Sequence, residues 1–302
     1  MRVKKVSHLF ALINNAPIQN ISNQQLRACN IQLDIKRDDL LHPIISGNKW
    51  RKLKHVLLEI ESRGYCRVAT MGGQYSNFLH SLSYICKLLN WELELYVRGH
   101  PEQQKTPMLH DAAKWGANIT YVTREGFRKL RHNPPELSDD VFWISEGGYD
   151  QLALKGSVES LMEVPRTYDY LVTAAATGTS LAGYCRGVIQ LGFQTFDSKT
   201  KVLGVAVLNN GNEIAANVEQ LIQARTQIEI VRGYEFGGYA KKTDELMSFI
   251  QQFEDSHAIP LDHVYNGKSF FATLDLIEKG YFPSGSRVLL IHTGGLQGNR
   301  QV

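Results

Sequence analysis

Residues 67–77 read Arg67-Val-Ala-Thr-Met-Gly-Gly-Gln-Tyr-Ser-Asn77: an apolar run, paired glycines, then a polar helix start. The run 67–71 predicts a buried strand and residues 76–89 a helix directly behind it. The same unit recurs outward in both directions. Residues 93–97 read as a strand, 107–115 as a helix ending at Gly116, and 119–122 as the next strand. Further on, strand 170–173 leads into helix 181–191, and 202–208 and 288–291 read as strands. Short apolar strands alternating with longer amphipathic segments predict an α/β fold with a largely parallel sheet. Residues 124–140 break the rhythm, being charged and carrying Pro134-Pro135, and read as a surface excursion. The segment Gly233-Tyr-Glu-Phe-Gly-Gly-Tyr239 suits a loop near a ligand and a plain surface turn equally well.

Composition limits what such a chain can do. At 302 residues, with 43% hydrophobic and 21% charged, it is long enough for one large domain or two modest ones with real cores. The net charge of +3 gives no strong footprint, and the basic residues are scattered among acids, which argues against a nucleic-acid partner. The four cysteines show no C-x-x-C spacing and read as reduced and structural, so no metal is expected. The start of the chain lacks a clear cleavage site, and no apolar run is long enough to span a bilayer. A cytoplasmic protein that does not engage a membrane is the expectation.

Four segments carry candidate chemistry. In Ser46-Gly-Asn-Lys-Trp-Arg-Lys-Leu53 a glycine turn precedes a helix whose first residues include Lys49. Burial, with Arg51 and Lys52 nearby, is expected to lower the Lys49 pKa toward that of a reactive amine; a basic helix start is also commonly a solvated face. In Thr70-Met-Gly-Gly-Gln-Tyr-Ser-Asn77, Ser76 and Asn77 offer donors to a carboxylate, and Asn77 to a phenolic oxygen; either also serves as an ordinary helix cap. Thr177, Gly178, Thr179 and Ser180 follow an apolar strand and open a helix, which suits a phosphate monoester or simply a tight turn. Neither a dinucleotide fingerprint nor a P-loop is present. Finally, Tyr265 acts as an acid or base only if its high pKa is lowered, and otherwise is a packed aromatic. His292 reads as a histidine buried beside the sheet.

The order of these segments is more specific than any one of them. Lys36-Arg-Asp-Asp39, Gly47-Asn-Lys49, Gly72-Gly73 with Ser76-Asn77, Glu146-Gly-Gly148, Thr177-Gly-Thr179, Tyr265 with Gly267-Lys268, and His292-Thr-Gly-Gly295 run nearly the whole chain. In this order the chain resembles the pyridoxal-phosphate-dependent family of 1-aminocyclopropane-1-carboxylate deaminase and D-cysteine desulfhydrase. The resemblance implies a tryptophan-synthase-β-like fold (fold type II) of two open parallel-sheet α/β domains, commonly homodimeric. Residues 50–151 are then the small inserted domain, and 1–49 with 152–302 the large cofactor-binding one. It implies pyridoxal 5'-phosphate carried by Lys49 as a Schiff base, Ser76 and Asn77 at the substrate carboxylate and cofactor ring, and the threonine–glycine loop on the phosphate. Together these readings make Lys49, Ser76 and Tyr265 the expected catalytic residues. Lys49, Lys52, Asn77, Thr177, Gly178, Thr179, Ser180 and Thr293 are the expected cofactor contacts.

Two departures bear on the substrate. The cyclopropane deaminases have a Tyr-Glu-Gly-Lys turn, whose glutamate faces the pyridine nitrogen, and a leucine between the histidine and the paired glycines. This chain has Asn266 and Thr293 at those positions. A carboxylate keeps the ring nitrogen protonated and electron-poor, whereas a neutral hydroxyl does so less. Opening a cyclopropane needs the stronger assistance; expelling thiolate from a β-carbon needs less. The expectation is therefore a lyase of the D-cysteine desulfhydrase kind, giving pyruvate, ammonia and sulfide from a small amino acid. Cyclopropane deamination, another D-amino-acid lyase or a racemase, and a non-catalytic binding protein are the alternatives.

Overall fold

The computed structural model describes residues 4–102, 105–191, 199–209, 211–223 and 228–300. Ten strands among them form two sheets: β1 (Ile18–Ile21), β2 (Gln32–Lys36), β3 (Arg67–Gly73), β4 (Glu92–Arg98), β5 (Asn118–Val122), β6 (Val141–Ile144), β7 (Tyr170–Ala175), β8 (Lys201–Ala206), β9 (Ile228–Val231) and β10 (Arg287–Ile291). The larger sheet has the order β1-β2-β10-β7-β8-β9, and the smaller β5-β4-β3-β6. All pairings are parallel except β1 with β2. The fold is an α/β architecture of two open sheets, parallel but for one edge pairing, as the sequence reading expected.

Strand burial follows sheet position. All six residues of β7, in the middle of the larger sheet, are buried, as expected where helices cover both faces. In β4 the buried residues alternate with half-buried or exposed ones. Separate hydrophobic clusters lie around the smaller sheet and on the two faces of the larger one. Helices Asn48–Ser62 and Gln151–Met162 pack against each other on either side, in sequence, of the segment that supplies all four strands of the smaller sheet.

The strands read from apolar runs are all present, shifted by one to two residues at most ends. β1, β2, β6 and β9 were not legible. β2, Gln32–Lys36, hides because its polar residues are buried: Asp34 accepts from Asn20, Tyr168 and Arg166, and Lys36 pairs with Glu163 and Asp38. The reading of 124–140 as a surface excursion needs correction at its start. Arg124–Leu130 is a helix capped by Thr123, and its buried Phe127 reaches the cavity described below. No helix among the described residues is long and apolar enough to cross a membrane.

Candidate active site

A cavity of about 210 Å³ opens between the two sheets, at the carboxyl ends of their strands. Gly72 and Gly73 end β3, Arg98 ends β4, Ala174 to Thr177 continue β7, and Thr293 follows β10. This is where parallel α/β sheets place their ligands, because the loops there are free to diverge.

Lys49 enters the cavity from the first turn of helix Asn48–Ser62, where Gly47 sets the entry with φ of +63°. A side chain at position 47 is excluded, since its Cβ would lie 1.9 Å from the Thr293 carbonyl oxygen. Lys49 Nζ donates to that same carbonyl at 3.0 Å and lies 5.9 Å from the centre of the Tyr265 ring. Burial lowers its pKa to about 8, against the opposing pull of the Asp262 carboxylate. One turn on, Lys52 donates to the Gly147 carbonyl at 3.1 Å, and burial, reinforced by the charge of Lys49, lowers it to about 7. The expectation that Arg51 helps depress Lys49 is not met. Its guanidinium bonds Asp38 at 3.0 Å and Glu163 at 2.7 Å, so its charge is spent there.

Across the cavity, Thr177, Gly178, Thr179 and Ser180 form the turn into helix Thr179–Leu191, with Gly178 at φ +86° and the Thr177 and Thr179 hydroxyls 3.2 Å apart. Backbone amides in a helix's first turn lack intrahelical partners and favour an anion. Ser180 Oγ accepts from Asn48 Nδ2 at 3.1 Å, while Asn48 Oδ1 is buried with no hydrogen-bond partner.

Ser76 and Asn77 sit at the start of helix Asn77–Leu89. Ser76 Oγ accepts from Leu79 N at 3.3 Å, which uses a lone pair and leaves its proton to donate; cap and ligand contact are compatible. Asn77 Oδ1 accepts from Gln297 at 2.7 Å, which turns Nδ2 toward Gly295 and Lys49. A Cβ at Gly295 would lie 2.1 Å from Asn77 Nδ2 and 3.0 Å from Lys49 Nζ, so only glycine allows this approach.

Tyr265 also lines the cavity, but its phenol is raised well above 10 by burial, by Tyr239 and by the Asp262 and Glu146 carboxylates. The lowering that base chemistry would need is absent, and Tyr265 is a proton donor. Asn266 is buried and does not line the cavity. Its Oδ1 accepts from the Thr293 amide at 2.8 Å and hydroxyl at 3.1 Å, and its Nδ2 donates to Asp262 at 2.6 Å and to Gly294 O at 2.8 Å. Thr293 is the member of this pair that faces the cavity. His292 is the buried histidine expected: Nε2–H donates to Pro260 O at 2.8 Å, Nδ1 accepts from Gly294 N at 3.1 Å, and burial keeps it neutral.

Sequence reading missed Asn48, Arg98, Phe127, Arg131 and Tyr239 as cavity residues. The aromatic, glycine-rich loop was the one usable signal. Its Tyr239 lines the cavity and bonds the Tyr265 hydroxyl, and Lys268 fixes the loop by donating to the carbonyls of Val207, Glu235 and Gly238. The others come from a helix start (Asn48), a strand end (Arg98) and the helix Arg124–Leu130 with its cap Arg131, which converge only after folding.

The cavity's chemistry fits pyridoxal phosphate. Two buried ammonium groups, Lys49 and Lys52, have no carboxylate within ion-pair distance among the described residues, and a helix start faces them. A phosphate dianion balances that charge, and a near-neutral lysine amine is what an aldehyde needs. No group of three or more metal-ligating side chains occurs among the described residues.

Comparison with known proteins agrees. Over 301 residues the chain is 30% identical to a putative 1-aminocyclopropane-1-carboxylate deaminase of Pyrococcus horikoshii, covering 93% of this chain and 90% of that one. Over 299 residues it is 26% identical to the mitochondrial bifunctional D-cysteine desulfhydrase/1-aminocyclopropane-1-carboxylate deaminase of Arabidopsis thaliana, covering 88% and 73%. The crystal structure of an ACC deaminase homologue superposes with a TM-score of 0.82 at 27% identity, covering 99% of this chain and 97% of that one. Residues 9–294 match the pyridoxal-phosphate dependent enzyme family, and the chain belongs to it.

Proposed function

We propose that the protein is a lyase of the D-cysteine desulfhydrase kind, releasing pyruvate, ammonia and sulfide from D-cysteine by α,β-elimination. The observation that carries this reading is the neutral Asn266–Thr293 pair. The cavity residue there, Thr293, is neutral, its hydroxyl donating to Asn266, and the Asp262 carboxylate behind the pair is committed to the backbone amides of Val264, Tyr265 and Asn266 and to the Asn266 side chain. Pyridoxal phosphate, when bound, supplies the electron sink for charge at the amino acid's α-carbon. A weakly assisted sink suits a substrate whose β-substituent leaves readily.

Lys49 would hold the cofactor, and its amine is the base for the α-proton; a pKa of about 8 places it near working pH. Lys52 and residues Thr177, Gly178, Thr179 and Ser180 hold the phosphate. Asn77 Nδ2 donates to the phenolic oxygen, and the Ser76 hydroxyl donates to the substrate carboxylate. Tyr265, kept protonated, is a hydrogen-bond donor on the leaving-group side. The reading includes a cytoplasmic homodimer. Cyclopropane deamination is the second reading, favoured by the names of several relatives.

The test is keto-acid release from D-cysteine, L-cysteine, D-serine and 1-aminocyclopropane-1-carboxylate by the yellow holoenzyme. Pyruvate chiefly from D-cysteine is expected. Preferential ring opening of the cyclopropane substrate would overturn the argument from Asn266 and Thr293, and a protein that cannot be loaded with the cofactor would overturn the roles given to Lys49 and its neighbours.

A further inference from the structure

We propose that the active cavity continues into a second cleft, in which Arg98 and Arg124 bind an anionic side-chain group of further amino acids that the site takes besides D-cysteine. The inference rests on the reading of the cavity as an amino-acid site, and adds a second class of amino acid that it binds besides D-cysteine.

The two clefts share Arg98 and Tyr239. Arg124 joins them in the second, and none of the described residues lining it is acidic. Strand register creates the arrangement. Arg98 ends β4 opposite Val122 of the neighbouring β5, and Arg124 follows two residues later, so both arginines leave the same end of the smaller sheet.

Both side chains are exposed, and neither is paired with a carboxylate among the described residues. Their neighbours differ: Arg131 is bonded to Glu146 at 2.6 Å, and Arg67 to Glu92 and Asp140. Instead of an ion pair, Arg98 has an aromatic support, its guanidinium carbon lying 5.8 Å from the centre of the Phe127 ring. The Arg131 guanidinium carbon lies 5.5 Å from the centre of the same ring, so both cations sit against Phe127, and of the two only Arg131 has a carboxylate partner among the described residues.

Charge in the main cavity leads to the same place. Its cations are Lys49, Lys52, Arg98 and Arg131, and its acid is Glu146. The cofactor occupies the two lysines, Glu146 neutralises Arg131, and the Ser76 hydroxyl is a neutral donor for the α-carboxylate. Arg98 remains without a counter-charge, and Arg124 extends the positive potential outward. A guanidinium binds carboxylate, sulfonate or phosphate through paired N–H donors, so the amino acids that this subsite adds to D-cysteine are those with one of these groups at the end of the side chain.

The experiment is titration of the yellow holoenzyme with both enantiomers of aspartate, asparagine, glutamate and glutamine, read as perturbation of the cofactor's visible spectrum. The amides match the acids in shape and lack the charge. The acid of a pair is expected to bind about fivefold more tightly than its amide, with the ratio falling as salt is raised. In Arg98→Gln and Arg124→Gln the ratio should fall toward one. Equal affinity for acid and amide, or a preference that survives both substitutions, would overturn the anion subsite while leaving the amino-acid reading intact. No spectral response to any of these amino acids, nor to D-cysteine added to the same sample, would overturn both.

Discussion

Lys49 and Thr293, 244 positions apart in sequence, are joined by a 3.0 Å hydrogen bond from the lysine Nζ to the threonine carbonyl. The contact holds the reactive amine of one helix start against the turn that follows the last strand, and Gly295 in that turn leaves room for Asn77 beside it.

Gly295→Ala tests that arrangement. The added methyl would have to displace Asn77 Nδ2 and crowd Lys49 Nζ, both anchored in buried surroundings. Overpacking of this sort costs about 1–3 kcal/mol. Spectral titration with pyridoxal phosphate should show affinity weakened by about tenfold or more. Unchanged affinity would mean that neither side chain is where the cofactor binds.

Lys52 should make the cofactor-free protein less stable near neutral pH than at alkaline pH. Its folded pKa of about 7 lies below the ordinary 10.5. Between those values the unfolded chain binds the extra proton, so stability rises with pH across that window. Melting temperatures of wild type and Lys52→Met should therefore differ most at pH 7 and below, with the variant higher, and converge toward pH 10.5. A difference independent of pH would rule out a buried charge as its cause.

Tyr265→Phe removes a proton donor without vacating the space. Because burial and the neighbouring Tyr239 raise the phenol, no phenolate forms in the working range. Turnover should fall by about tenfold, the scale for losing one hydrogen bond, with cofactor affinity retained. A pH–rate profile with a limb that disappears in the variant and lies below pH 10 would instead assign Tyr265 as a base.

Asp38→Asn should be severe although Asp38 touches no ligand. Burial raises this carboxyl, but the charges of Arg51 and Lys36 outweigh it and hold the pKa below the ordinary value. The stability it contributes is thus present above that ordinary value and lost as pH falls through the depressed one. Removing the charge leaves buried Lys36 and Arg51 facing Glu163 alone. A loss of about 3–5 kcal/mol is expected in denaturant titrations. A variant as stable as wild type would show that Glu163 alone balances both cations.

The sequence determined the α/β class and marked the tight strand-to-helix turn Thr177–Ser180, because apolar runs ending in glycine or small polar residues follow from local backbone and burial preferences. It also marked Lys49, Ser76, Asn77 and Tyr265, since short polar turns after strands are visible as pattern. What each could do was decided only by tertiary structure. Burial set the Lys49 pKa, where adjacent Arg51 had suggested a cation effect; that guanidinium is drawn off by Asp38 and Glu163 from distant segments. The Asn77 amide was oriented by Gln297, and the Asn266 amide was turned inward, leaving Thr293 at the cavity. Strand β2 was hidden because Asp34 and Lys36 read as exposed until their partners, more than a hundred residues away, are in place. Arg98 and Arg124 are unremarkable as residues; parallel register brings them to one cleft, and pairing that depends on register is a long-range property no local run of sequence carries.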